Sequence, residues 1–257
     1  PPLSFVKCLL ISHPDGVDSK NELGMLPLRV AIRNRASADV IDALISADES
    51  VAKSFGVSGK TCLHLACMYP PEFRIFERLL TIWPEATEWK DRDGWHPLHL
   101  ATLCKADTPV IKRLLDVYPE AAAMADTADH QYPLHIAALQ GASPEILRGI
   151  HDAFPDAAKA RTLTRGWVPL HLACHHSVSP EVIQTLVDFY PDGAKVRGRR
   201  CGSLPLHLAA RNGTSVEVLH ILKDAYPGAI YEKNNMGEVP AYCAIDKPSF
   251  QQALALI

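Results

Sequence analysis

The chain has 257 residues and a formal net charge of −3, from 26 Lys and Arg against 29 Asp and Glu. That balance argues against a polyanion as partner of the whole chain while leaving local basic patches open. Apolar residues are 47% and charged residues 21%, ordinary for a soluble fold, and no apolar run approaches the roughly 18 residues of a membrane span. No membrane insertion is therefore expected, and nothing at the N-terminus has the zones of a signal peptide. Seven cysteines are an odd number; a disulfide framework should pair its cysteines, so the cytoplasm or nucleus is the expected setting.

In chain order, the residues before His13-Pro14-Asp15-Gly16 read as the second helix of a repeat whose first helix is absent, a partial unit over 1–20. Repeats then begin near 21, 56, 91, 127, 163 and 199, with a last partial one over 234–257. Their mark is Pro97-Leu98-His99-Leu100-Ala101, which returns 36 residues later at Pro133, again at Pro169 and again at Pro205. Weaker copies stand at Pro27-Leu28-Arg29-Val30-Ala31, Cys62-Leu63-His64-Leu65-Ala66 and Pro240-Ala241-Tyr242-Cys243-Ala244, at spacings of 35. A fixed period of this size signals a solenoid, in which each unit buries its apolar face only against its neighbours.

Each unit reads alike. Asp93-Gly94 opens a tight turn, and Pro97 fits the first helical position because its missing N–H would be unpaired there anyway. Leu98, Leu100, Ala101 and Leu103 give this first helix its apolar side. Ser143-Pro144-Glu145 and Ser179-Pro180-Glu181 then start a second helix, with Ser as cap and Glu at the positive end of the helix dipole. Val182, Ile183, Leu186 and Val187 keep the i, i+3, i+4 spacing of a packed face. An aromatic-proline pair such as Trp83-Pro84, Tyr118-Pro119 or Tyr190-Pro191 ends it.

Two short helices and a projecting finger with a Pro-Leu-His-Leu-Ala motif resemble the ankyrin repeat over nearly the whole chain. The resemblance implies an all-α ankyrin-repeat solenoid of paired antiparallel helices with projecting finger loops, forming one domain over 1–257. It also implies motif histidines that bond finger to helix, and a concave groove that binds partner proteins. The unit here is two or three residues longer than the family's 33 or so, expected as an added turn after the second helix; this variant is similar to ankyrin proteins of diatoms and related algae. The family's Thr before the motif Pro survives only as Thr61, so its capping role is expected to be lost elsewhere, at roughly 1 kcal/mol per helix. The apolar ends, Phe5, Val6, Leu9 and Leu10 and then Ala253, Leu254 and Ile257, predict further repeats or a neighbouring chain there.

These features predict a non-catalytic scaffold or targeting module. Gly198-Arg199-Arg200-Cys201-Gly202 lacks the Lys-Ser/Thr ending of a phosphate loop, and no Gly-x-Ser-x-Gly elbow appears. No cofactor is expected. His171 and His175, one helical turn apart beside Cys174 and His176, raise a metal site, but no second ligand pair supports it and none is assigned. Two residues before each motif proline the chain places Lys60, Trp95 and Trp167, among others, and at exposed tips such rings would anchor a partner unless each merely stacks on the next finger. Met68-Tyr69, His175-His176 and Arg211 lie in the row expected beside the fingers. Arg165, Arg199 and Arg200 belong to a basic run with Arg161, Lys195 and Arg197, suited to an acidic or phosphorylated protein segment or, as the alternative, to nucleic acid or another anionic ligand, unless these arginines pair with neighbouring acids. The remaining alternative is the regulatory ankyrin part of a larger enzyme or channel.

Overall fold

The 35–36-residue period becomes a helix pair followed by a 3-10 turn and a hairpin loop in the computed structural model, which describes residues 2–244. The described chain falls into two compact units, up to Ala121 and from Ala122 onward. The first holds α1 (Leu3–Ser12), α2 (Pro27–Arg33), α3 (Ala38–Ala47), α4 (Cys62–Met68), α5 (Phe73–Ile82), α6 (Pro97–Leu103) and α7 (Thr108–Val117). The second holds α8 (Pro133–Gln140), α9 (Pro144–Ala153), α10 (Pro169–His175), α11 (Pro180–Phe189), α12 (Pro205–Asn212), α13 (Val216–Ala225) and α14 (Pro240–Cys243). The second helix expected for the last repeat, at Phe250 to Ile257, lies outside the described residues.

The first helices of the repeats are only seven or eight residues long from α2 to α12, far too short to persist alone. Stacking stabilises them: α2 packs on α4 and α4 on α6 in the first unit, α8 on α10, α10 on α12 and α12 on α14 in the second. They are accordingly buried nearly all round; every residue from Pro169 to Cys174 is buried. The second helices form an outer layer and are amphipathic. In α5, Ile75, Phe76, Leu79 and Leu80 are buried, while Arg74 reaches back to Asp39 and Asp42 on α3, and Arg113 of α7 to Glu77 of α5. These cross-repeat ion pairs form a ladder along the outer layer of the first unit.

The extra residues of the long repeat make a 3-10 turn after each outer helix, for example Pro84–Thr87, Pro155–Ala158 and Pro191–Lys195, the added turn the sequence predicts. Between inner and outer helix the chain reverses through a left-handed residue. Gly141 and Gly213 hold this place with φ of 65° and 68°, and Arg35, Lys105 and Ser177 hold it at 52°, 55° and 52°. The helix α1 packs on α3 in the outer layer. Beside it an apolar pocket of about 510 Å³ is lined by Val6, Leu9 and Leu10 of α1 and Pro27, Val30 and Ala31 of α2. Among the described residues no helix is long and apolar enough to cross a membrane.

Candidate functional site

Five of the seven fingers among the described residues are organised by one side chain six or seven places before the motif position. Asn21, Asp91, Asp126 and Asn234 each turn a side-chain oxygen onto two backbone N–H groups of their own hairpin: Leu23 and Met25, Asp93 and Trp95, Asp129 and Gln131, Met236 and Glu238, all at 2.9–3.0 Å. Short polar side chains do this because they mimic the backbone of a turn. Thr162 serves the fifth full repeat, accepting from Trp167 N at 3.1 Å. Asp91 has a further partner. Burial opposes its ionisation, but the Lys60 ammonium at 2.5 Å and the hairpin N–H groups hold the carboxyl below its ordinary value.

The motif histidines tie fingers to helices, as the family resemblance implies. Nδ1 of His64, His99, His135 and His207 accepts the N–H of the residue just before its own helix, at 3.2–3.3 Å. A backbone N–H can only donate, so the proton sits on Nε2. Nε2 of His64, His171 and His207 then donates to the carbonyls of Trp95, Ser203 and Glu238 in the next finger, at 3.0–3.3 Å, and that of His135 to Ala160 at 3.1 Å. Burial, which disfavours the charged ring, pushes His64 and His135 down to about 4 and His171 to about 3. Among the described inner helices Thr61 alone caps with its hydroxyl, accepting from His64 N at 3.3 Å; elsewhere the imidazole satisfies a neighbouring N–H and moderates the expected capping deficit.

Fingers also touch directly, through one backbone bond per pair: Arg92 N to Ser58 O, Leu163 N to Asp129 O, Arg199 N to Arg165 O and Asn235 N to Cys201 O, at 2.8–3.1 Å. Two fingers have glycine where the others have their organising side chain, and there the preceding repeat fills the space. A Cβ on Gly56 would lie 2.6 Å from the Arg29 guanidinium, and one on Gly198 would lie 2.8 Å from Nε1 of Trp167.

That packing decides the tryptophans. Trp167 is only 5% exposed, its ring parallel to His171 at 6.1 Å and laid against Gly198. This corrects its reading as a ring at an exposed tip, because the missing side chain at 198 opens a slot that the indole fills. Trp95 is half buried, 6.1 Å from the His99 ring. Lys60 is committed to Asp91, and Met68 and Tyr69 are half buried at the end of α4.

The basic run is partly neutralised. Arg197 pairs with Glu232, Lys195 with Asp192 at 2.7 Å and Arg211 with Glu238 at 3.1 Å. Arg199 donates to the carbonyl of Leu163 at 3.2 Å. Arg200 is exposed. Arg165 lies over the Trp167 ring, its guanidinium carbon 4.5 Å from the centroid. An open pocket of about 360 Å³ gathers Arg165, Trp167, His175 and His176 with Gln131 and Thr164. Four of the residues singled out in the sequence therefore meet in one place. Among the described residues no group of three or more His, Cys, Asp or Glu is placed to hold a metal; His171 is spent on Ser203 and the Cys174 thiol is buried, which raises its pKa.

One feature escaped the sequence reading. Phe55 and Trp89, 60% and 41% exposed, stack at 5.8 Å, and Trp83 leans on Trp89 at 5.6 Å. They occupy neighbouring repeats just before the fingers, a register that comparison of the loops as well as the helices would have brought out.

Paired inner and outer helices, a hairpin finger between successive pairs, and a histidine tying helix to finger define the ankyrin repeat class. Residues 134–235 match the family model of ankyrin repeats (3 copies), and the described chain has the fold of an ankyrin-repeat solenoid. No curated protein matches its sequence. Among solved structures, the chain is similar to the ankyrin repeat domain of human ASB11, at 22% identity and a TM-score of 0.72, over 90% of this chain and 97% of that one. It is also similar to the ankyrin repeat domain of Bcl-3, a member of the IkappaB family, at 20% identity and a TM-score of 0.65, over 91% and 99%. A further likeness is to a chain from the complex of the predatory endopeptidase Bd0816 of Bdellovibrio bacteriovorus with the immunity protein Bd3460, at 17% identity and a TM-score of 0.64, over 80% and 99%. At these identities the likeness concerns the fold.

Proposed function

We propose that the chain is a non-catalytic protein-interaction module, a scaffold or targeting unit, that binds its partner with the finger loops and the C-terminal ends of the inner helices. The observation that carries this reading is the open pocket in the second unit, where side chains from positions that differ between repeats, Arg165, Trp167, His175 and His176, converge. Ankyrin repeat domains are generally protein-interaction modules, and one similar structure is itself a complex of two proteins. Trp167 contributes as a fixed platform and the exposed cations around it supply charge, which suits a partner with an acidic or phosphorylated segment. The seven unpaired thiols are in keeping with an intracellular protein.

The test is retention of partners from a lysate on the immobilised chain, with and without nuclease, beside an Arg165→Ala/Arg200→Ala variant. Proteins retained after nuclease treatment by the parent chain and lost by the variant support the reading. Recovery abolished by nuclease, and falling steeply with salt, would replace it with nucleic-acid binding.

A further inference from the structure

The pocket between the fingers and the end of α10 has donors without acceptors. His175 is half buried at the last position of α10, its ring 5.1 Å from Trp167 and 5.1 Å from His176. The Asn212 amide nitrogen donates to the His175 carbonyl at 2.9 Å, and the same nitrogen lies 3.4 Å from His175 Nδ1. That amide group is oriented as a donor by the carbonyl, so Nδ1 is the accepting nitrogen and the neutral ring carries its proton on Nε2. No protein acceptor is paired with Nε2 of His175, with the ring nitrogens of His176 or with the Arg165 guanidinium among the described residues. The charged groups facing His175 are Arg165 from the finger, His176 from its own helix and Arg211 from α12, the last tied to Glu238. Burial first, and then the neighbouring His176, Arg165 and Arg211, hold His175 below its ordinary value. The carboxylate that lines the pocket, Asp129, is occupied: one oxygen accepts from Thr164 N and Oγ1 at 2.7 and 2.8 Å, and the other from Gln131 Nε2 at 3.5 Å.

A polar hollow floored by a rigid indole, rimmed by three unsatisfied donor groups and lying in a cationic field calls for an anionic oxygen group. We propose that this pocket is a subsite for a carboxylate or phosphate borne by the bound polypeptide, gripped by Arg165, His175 and His176 over the Trp167 platform. The proposal rests on the reading of the fingers as the binding surface and adds the chemistry of one contact. Neutral His175 donates one hydrogen bond through Nε2, and its protonated ring adds positive charge, so anion binding favours proton uptake by His175 and tightens as pH falls.

The experiment is an NMR titration of the whole chain with inorganic phosphate and, separately, with acetate at pH 7.5 and 6.0. It follows the ring C–H signals of His175 and His176 and the indole N–H of Trp167. Saturable shifts are expected, lost in Arg165→Ala and weakened in His176→Gln, and for acetate, which stays ionised over this range, the apparent Kd is lower at pH 6.0 than at pH 7.5. Phosphate binding without acetate binding assigns the site to phosphorylated side chains; the reverse assigns it to Asp, Glu or a chain terminus. Absence of a saturable shift up to tens of millimolar of either anion, or equal shifts in Arg165→Ala, would overturn the proposal. If the lysate partners were still retained in that case, the interaction-module reading would survive it. A spectrum with native dispersion for each variant separates lost binding from lost folding.

Discussion

Lowering the pH should destabilise this protein well before its carboxylates protonate. His64, His135 and His171 have folded pKa values of about 4, 4 and 3 because burial excludes the charged ring. In the unfolded chain each titrates near 6.5. Folding lowers these values, so between the two limits the unfolded state binds more protons, and stability is full above about pH 6.5 and withdrawn as pH falls toward the folded values. At pH 5.0 each histidine then costs about 2 kcal/mol, RT times the logarithm of the ratio of the two binding polynomials, and the three together cost about 6 kcal/mol. Domains are typically stable by about 5–15 kcal/mol, so this is a large fraction. His96 and His207, also lowered by burial, act in the same direction. Urea unfolding followed by far-UV circular dichroism at pH 7.5, 6.5, 5.5 and 5.0 measures the effect. A His171→Asn variant should be weaker than the parent at pH 7.5 yet lose about 2 kcal/mol less on going to pH 5.0. Equal midpoints at pH 7.5 and 5.0, or an unchanged fall in the variant, would refute the argument.

The two tip tryptophans should part company: Trp167→Ala is expected to cost about 3–5 kcal/mol, as for a buried aromatic, and Trp95→Ala about 1–2 kcal/mol, with urea midpoints as the check. Equal losses would contradict the burial difference. Lys105→Gly should raise stability by about 0.5–1 kcal/mol, because φ of 55° suits glycine and strains a side chain; thermal unfolding would show a midpoint a few degrees higher. Gly202→Ala should cost about 1–2 kcal/mol, since φ is +63° and the new Cβ would fall 2.3 Å from Asn235 Oδ1 in the next finger; a neutral effect in the same assay would mean that the fingers are free to separate. A double-mutant cycle on Asp42 and Arg78, paired at 2.9 Å on the outer layer, should give a coupling below about 1 kcal/mol that fades in 1 M salt.

The period, the helix pairs and the 3-10 turn at each aromatic-proline pair were legible because they depend on local chemistry, whereas the role of the motif histidine was implied by the family resemblance, its Nε2 reaching a carbonyl 31 or 32 residues away in the next finger. Proline at a first turn, glycine at a reversal and leucine at i, i+3, i+4 act within a few residues. The candidate site was legible in its register but not in its exposure. That Arg165, Trp167, His175 and His176 share one pocket depends on how a finger folds over the end of its own inner helix. That Trp167 is buried depends on Gly198 in the following repeat, and that Lys60, Arg197 and Arg211 are engaged depends on Asp91, Glu232 and Glu238, 27 to 35 residues away.

The sequence by itself determined that this is a stack of paired helices and hairpin fingers, because the same local code recurs every 35 or 36 residues and each unit must bury its face on the next. The tertiary structure decided which of those repeated positions remain free to meet a partner. Equivalent residues in successive repeats have different neighbours one period away, and a single glycine or acid there turns an exposed ring into a buried one, or a free cation into a paired one.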